Sequence, residues 1–352
     1  MNRKPLFDLG QSGFALPLRA FFLSILSAAT LARPAPGIAS DHSPELQTEA
    51  RRLWMFSVRW ENDTFGGSDR FYTDGVSLSL SHTGPNWLDP VANRLPWGEG
   101  RRTVGYDVGQ IMVTPSNTRL PVPDPDDRPY AGILYAGLAL HVERDNQYYG
   151  LKFLTGVVGP WSLAEETQKQ VHRWIGSSLP QGWDYQLRNE PILNLVFEHR
   201  RKFRLLGAPT KFSVEALPVG NVMLGNVLTQ GDVGLQARIG YNVPDDFGMT
   251  LMRGMVHLPP PRPAPAGAPP WSVYVYGGAS VNLVARNITL DGNTWRESRR
   301  VDKEWFVPAA EVGIAVSVHR LTAAFAYVFW GREFVGQRDY SEFGALTVNY
   351  HF

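Results

Sequence analysis

The chain contains no cysteine, which excludes disulfide scaffolds, thiolate zinc sites and cysteine nucleophiles together. Charge is also scarce, at 19% of 352 residues, against a 43% hydrophobic content. That mixture is too apolar for disorder and too poor in charge for a typical soluble enzyme. A basic surplus is missing as well: the net charge is +1, and once the basic first 39 residues are set aside the remainder is slightly acidic. Nucleic acid is therefore not an expected partner. Past the leader, no stretch reaches the roughly 18–20 apolar residues that a membrane-spanning helix needs. Neither a G-x-S-x-G nor an H-E-x-x-H stretch occurs, which argues against a serine elbow and a zincin site.

What is present begins with a leader. A basic start, the apolar run Ala20 to Ala32 and the small residues and prolines through Ala39 read as an export signal over residues 1–39. Residues 40–352 then form one domain. From residue 50 onward apolar or aromatic residues alternate with small and polar ones. Trp54, Phe56, Val58 and Trp60 make one such row, Val76, Leu78 and Leu80 another, and Leu321, Ala323, Phe325, Tyr327 and Phe329 a third. Period 2 indicates strands with one greasy face. A soluble sandwich and an outer-membrane barrel both give this pattern. The aromatic ends of the greasy rows, the alternating Leu346, Val348, Tyr350, Phe352 and the export signal favour the barrel. The last strand, ending in Phe, resembles the signal read by the outer-membrane assembly machinery.

About twelve strands are expected, near 53–61, 72–82, 103–113, 130–143, 148–157, 191–202, 210–218, 231–242, 272–286, 304–318, 320–330 and 341–352. The expected fold is thus all-β: a transmembrane antiparallel barrel with both termini periplasmic. Odd-to-even connections are then extracellular, 219–230 among them. Two segments, 83–102 and the proline-rich 243–271, are long for periplasmic turns. One short extracellular helix is predicted after Ser162, with Ser162 and Glu165 as a capping box and Gly176 as its stop.

Polar chemistry collects at the outer end. Gln168 and His172 share a face of the predicted helix, although such pairs occur on many exposed helices. Asn62 and Asp63 end the first strand, and Thr73 begins the second with the lumen parity of Ser77, Ser79 and Ser81. Asn62 faces inward only if a bulge interrupts the first strand; equally, Asn62 and Asp63 turn a hairpin. Oxygen-rich groups here suit a hard cation such as calcium. Arg128 is a candidate for binding a substrate phosphate, or a member of a charged outer rim.

Taken in order, Glu61-Asn62-Asp63, Tyr72-Thr73-Asp74-Gly75, Gly109-Gln110 with Thr114-Pro115, Asp127-Arg128-Pro129-Tyr130-Ala131-Gly132, Gly159-Pro160, Gln168 with His172, Gly182-Trp183 with Gln186, Leu290-Asp291-Gly292-Asn293, and Glu333-Phe334 with Gln337 resemble the outer-membrane lipid A deacylase family. The resemblance spans residues 61–337. It implies a twelve-stranded barrel and a calcium-dependent ester hydrolase acting on the acyloxyacyl chain at the 3′ position of lipid A in lipopolysaccharide. It further implies His172 as the base activating a water, with Asn62, Asp63, Thr73 and Gln168 shaping the site, and with Asp63 and Thr73 as metal ligands. Some members carry an acid shortly after the histidine, where this chain has Gly176, Ser177, Ser178; Glu165, Asp184 or Glu190 are the possible substitutes. A phospholipase-type acyl hydrolase, or a channel with the helix loop as plug, are the alternatives.

Overall fold

The computed structural model describes residues 52–66, 71–250 and 257–352; the expected export signal lies outside them. Strands β1 (Trp54–Asn62), β2 (Phe71–Thr83), β3 (Arg101–Thr114), β4 (Ala131–Arg144), β5 (Gln147–Val158), β6 (Glu190–Arg201), β7 (Phe203–Gly207), β8 (Phe212–Gly225), β9 (Leu228–Tyr241), β10 (Trp271–Asn287), β11 (Phe306–Val318), β12 (Leu321–Trp330) and β13 (Ser341–His351) form one antiparallel sheet. Both β6 and β7 pair with β8 on either side of Lys202, so together they make one staved strand. Pairing of β1 with β13 closes the wall. The result is a closed barrel of twelve strands, as the alternation predicted.

Parity sorts the wall. Along β10, Trp271, Val273, Val275, Val281 and Leu283 are exposed, while Ser272, Tyr274, Ser280 and Asn282 between them are buried in the lumen. Inverting a soluble protein in this way is stable only where lipid replaces water outside. No helix among the described residues is long and apolar enough to cross a membrane.

The lumen is filled. Glu198 accepts Lys152 Nζ at 2.9 Å and Arg200 at 2.7 Å, and Glu215 accepts Arg238 Nε at 2.7 Å. The long connection after β9 supplies the rest of the packing. Arg200 Nη1 donates to the Phe247 and Met249 carbonyls, Ser77 Oγ meets His257 Nε2 at 3.0 Å, and Arg101 donates to the carbonyls of Pro260 and Pro261. Phe247 packs on Tyr148 and Leu217, whose side chains line the lumen. The proline-rich segment is therefore a plug. Carbonyls of a proline-rich chain have no ladder of their own to satisfy, and the lumen arginines satisfy them.

The connection before β3 goes the other way, onto the outside wall. Its short helix α1 (Asp89–Ala92) buries Leu88 and Ala92 against Val104, Leu140 and Val142, residues of outward parity on β3 and β4. Among the described residues, neither the connection before β3 nor the one after β9 contains a strand. One outer loop differs from expectation: β8 runs on to Gly225 and β9 starts at Leu228, so the loop expected over 219–230 is two residues.

Candidate functional site

The outward wall near the mouth carries the candidate residues. Cross-strand pairing places Asn62, Asp74, Met112 and Gly132 in one row across β1, β2, β3 and β4. Asn62 faces outward in that row. Its Nδ2 donates to Asp74 Oδ2 at 2.8 Å and to the Thr73 carbonyl at 3.2 Å, and Trp60 Nε1 donates to the same Asp74 oxygen at 3.1 Å. No bulge interrupts β1, the condition on which Asn62 would have faced inward; one lies in β2, between Tyr72 and Asp74. It turns Tyr72 inward, where its hydroxyl donates to Glu61. Thr73 is the extra residue: it leaves the serine row, and its hydroxyl meets that of Thr114 at 2.7 Å. Asp63 is buried and opens a 3-10 turn, Asp63–Gly66, that folds back over the outside of the wall, with Phe65 against Trp60 and Phe325.

Helix α2 (Ala164–Ile175) completes the wall's outer cover. Gly132 has no side chain, which lets Ser162 and Ala164 sit against the strand. Gln110, of outward parity, donates to the Ser162 carbonyl at 2.6 Å, and Met112 packs with Tyr130, Ala164 and Trp183. The helix is thus outside the barrel rather than plugging it. Its stop at Gly176, in the left-handed region at φ 71°, is as predicted, and its start is not: Leu163 is the N-cap, without a side-chain cap, and Ser162 is buried in the preceding turn. Ser162 gives up capping because the wall claims its backbone carbonyl.

Ala164, Gln168 and His172 form the buried face of α2. His172 Nδ1 lies 2.6 Å from the Ser178 carbonyl. A carbonyl only accepts, so Nδ1 carries the proton and Nε2 is the basic nitrogen. Ser178 lies just past the helix stop, and its backbone orients the imidazole. Trp183 Nε1 donates to Gln168 Oε1 at 2.7 Å. An indole N–H only donates, so the amide is fixed with Nε2 turned away, and that Nε2 is buried without a hydrogen-bond partner among the described residues. A buried donor left open is costly unless a ligand fills it. Trp183 and Ser178 went unread in these supporting roles; the only signal was the motif Gly182-Trp183.

Arg128 lies inside the mouth. It is fully buried, donating to Glu333 at 2.8 Å and to Thr289 Oγ1 at 2.9 Å. It borders a largely apolar cavity of about 80 Å³ inside the outer third of the barrel, lined by Tyr72, Ile133, Met223, Val284 and Trp330 among others. A guanidinium held this way fastens two loops across the mouth.

For calcium the donor set is thin. Among the described residues no three His, Asp or Glu side chains gather closely enough for a metal. Asp74 is engaged by Trp60 and Asn62, Glu165 by Lys169, and Glu190 by Asn226, Asn293 and Thr294. Asp63 and Thr73 are hard oxygen donors beside one rung, short of the six to eight oxygens calcium takes.

A comparison with curated proteins finds no match. Among solved structures, LpxR from Salmonella typhimurium superposes with a TM-score of 0.69 at 20% identity, covering 85% of this chain and 100% of that one. The β domain of the Bordetella autotransporter BrkA gives 0.42 at 11%, covering 86% and 98%, and the KdgM porin 0.35 at 8%, covering 85% and 99%. The family model of the outer membrane protein LpxR matches residues 21–352. A twelve-stranded wall inverted for lipid agrees with that match, and the chain belongs to the LpxR outer membrane protein family.

Proposed function

We propose that the protein is a lipid A deacylase that hydrolyses the ester-linked acyloxyacyl chain at the 3′ position of lipid A, in the outer leaflet. The observation that carries this reading is the pair on α2: a histidine whose tautomer makes Nε2 a base, one turn from an amide whose N–H has no partner among the described residues. Both face a wall that lipid surrounds, where an acyl ester reaches them without entering the barrel.

In this reading His172 Nε2 takes a proton from water as the water oxygen attacks the ester carbonyl. The carbonyl oxygen, now an oxyanion, accepts from Gln168 Nε2–H. Collapse breaks the bond to the sugar oxygen, and His172 returns its proton there. Free acid and sugar hydroxyl result. Asn62 holds the β2 bulge through Asp74 and the Thr73 carbonyl, so its part is to position the wall opposite the helix. A calcium ion on Asp63 and Thr73 would need oxygens from water, backbone and substrate to complete its shell, and would supply positive charge near the ester.

The test is mass spectrometry of lipid A from cells expressing wild type or His172→Ala. Wild type should remove the acyloxyacyl chain and the variant should not. Fatty acid released from phospholipid with lipid A untouched would select the phospholipase-type alternative. Nothing favours the channel reading, since the helix lies outside the wall and the plug fills the lumen.

A further inference from the structure

Lipid contact is unevenly shared around the wall. On β10 exposed outward residues run from Trp271 to Leu283, about 40 Å of strand at roughly 3.3 Å per residue. On β3 only Tyr106 and Val108 are exposed, about 7 Å by the same measure. The outward residues above them, Gln110 and Met112, lie under α2 and its preceding turn, and Val104 below lies under the α1 connection. An outer-membrane barrel needs an apolar band about 25 Å tall on every side. In the β3–β4 sector the strands do not provide it.

The covering elements have the surfaces to do so. On α2, Thr167, Val171, Trp174 and Ile175 stand at i, i+4, i+7 and i+8, one stripe beside the buried face, while Glu165, Glu166, Lys169 and Arg173 occupy the other side. Trp174 is 74% exposed and Trp161, in the turn before the helix, 72%; Leu163 between them is exposed too. The rings of these exposed tryptophans have no aromatic or cationic partner among the described residues. Below, Trp87 is 60% exposed, and its indole donates to the lipid-facing Tyr106 hydroxyl at 2.9 Å. Apolar on one flank and charged on the other is the form of a helix lying in a membrane interface.

We infer that α2 is an interfacial membrane helix: its Val171–Trp174–Ile175 stripe, with Trp161 and Leu163, is seated in the acyl chains of the outer leaflet and takes over lipid contact from β3 and β4. The α1 connection with Trp87 does the same for the inner leaflet. The helix rides in the leaflet with its charged flank toward the headgroups. This holds whatever chemistry His172 performs, because it follows from the missing strand surface.

The absence of cysteine makes the test clean. Trp161→Cys and Trp174→Cys, with Val281→Cys on the β10 lipid face and Asp126→Cys in an exposed outer loop as references, are each labelled with a small fluorophore. The full chain is then placed in phosphatidylcholine vesicles containing lipids with nitroxide on the acyl chain, and assembly is checked by heat-modifiable mobility. Labels at 161 and 174 should lose emission to the lipid nitroxide as the label at 281 does, and resist iodide as it does. Quenching by iodide to the extent seen at 126, with little effect of the nitroxide lipid, overturns the inference. Lipid A processing by the same variants is read separately, so a failure of either reading is visible without the other.

Discussion

The lumen and the outside of the β3–β4 wall are both densely packed and both polar, yet they use polarity oppositely. In the lumen several buried charges are paired, Lys152 and Arg200 on Glu198 and Arg238 on Glu215 and on the plug's Asp246, while Glu311 and Asp232 accept from side-chain amides. On the wall, one hydrogen bond fixes the tautomer of His172 and another fixes the amide of Gln168, whose Nε2 has no hydrogen-bond partner among the described residues. The groups that look most reactive by burial alone, the lumen glutamates and lysine, are occupied with holding the barrel together. Chemistry is expected on the wall, where a base of fixed tautomer stands one turn from an amide donor without a hydrogen-bond partner among the described residues.

Removing the base should produce the largest effect. His172→Ala is expected to lower lipid A deacylation by about 10²–10⁴-fold, with heat-modifiable mobility unchanged, while His257→Ala, which loses only a plug contact to Ser77, keeps activity. Equal loss in both would erase the distinction between wall and lumen. Gln168→Leu follows, with kcat down by about 10²–10³-fold and KM little changed, as for loss of one oxyanion donor. Gln168→Glu distinguishes the donor from the shape: it keeps the Trp183 contact and removes the N–H, so it should be no better than Gln168→Leu.

Breaking a lumen pair should do the converse. Glu198→Gln leaves Lys152 and Arg200 without their shared carboxylate, and removing one partner of a buried pair costs about 3–5 kcal/mol. Urea unfolding in detergent should show that loss while the deacylation rate of the folded fraction stays the same.

Most of the wall was legible because period 2 is local. The second strand expected over 72–82 is Phe71–Thr83, and the row Leu321 to Phe329 faces out as read. Features that depend on distant partners were not legible. Nothing near Thr73 says that the bulge belongs to β2 instead of β1. Nothing near Arg128 announces Glu333 and Thr289. Ser162 followed by Glu165 has the form of a capping box, but Gln110, fifty-two positions away, claims the Ser162 carbonyl. The candidate site was legible as a set of residues and not as a place: parity put Thr73 in the lumen, and only the packing of Ala164 on Gly132 shows that the helix faces the outer wall.

The smallest effect concerns how the plug is fastened. Burial pushes the Asp245 carboxyl up, but the hydrogen bond and charge of Lys202, with Arg262 and Arg204 nearby, outweigh it and hold the group below the usual carboxylate range. A carboxylate depressed on folding stabilises the fastened plug above its unfolded value, and that contribution fades as pH falls through the folded value. Asp245 is 43% exposed, so solvent screens the pair and Asp245→Asn should cost less than about 1 kcal/mol. In planar bilayers wild type should stay closed at neutral pH and open briefly and rarely on acidification, whereas Asp245→Asn should show the same rare openings at neutral pH. Activity at His172 should follow neither change, because the plug is satisfied from inside the barrel and the helix is seated outside it.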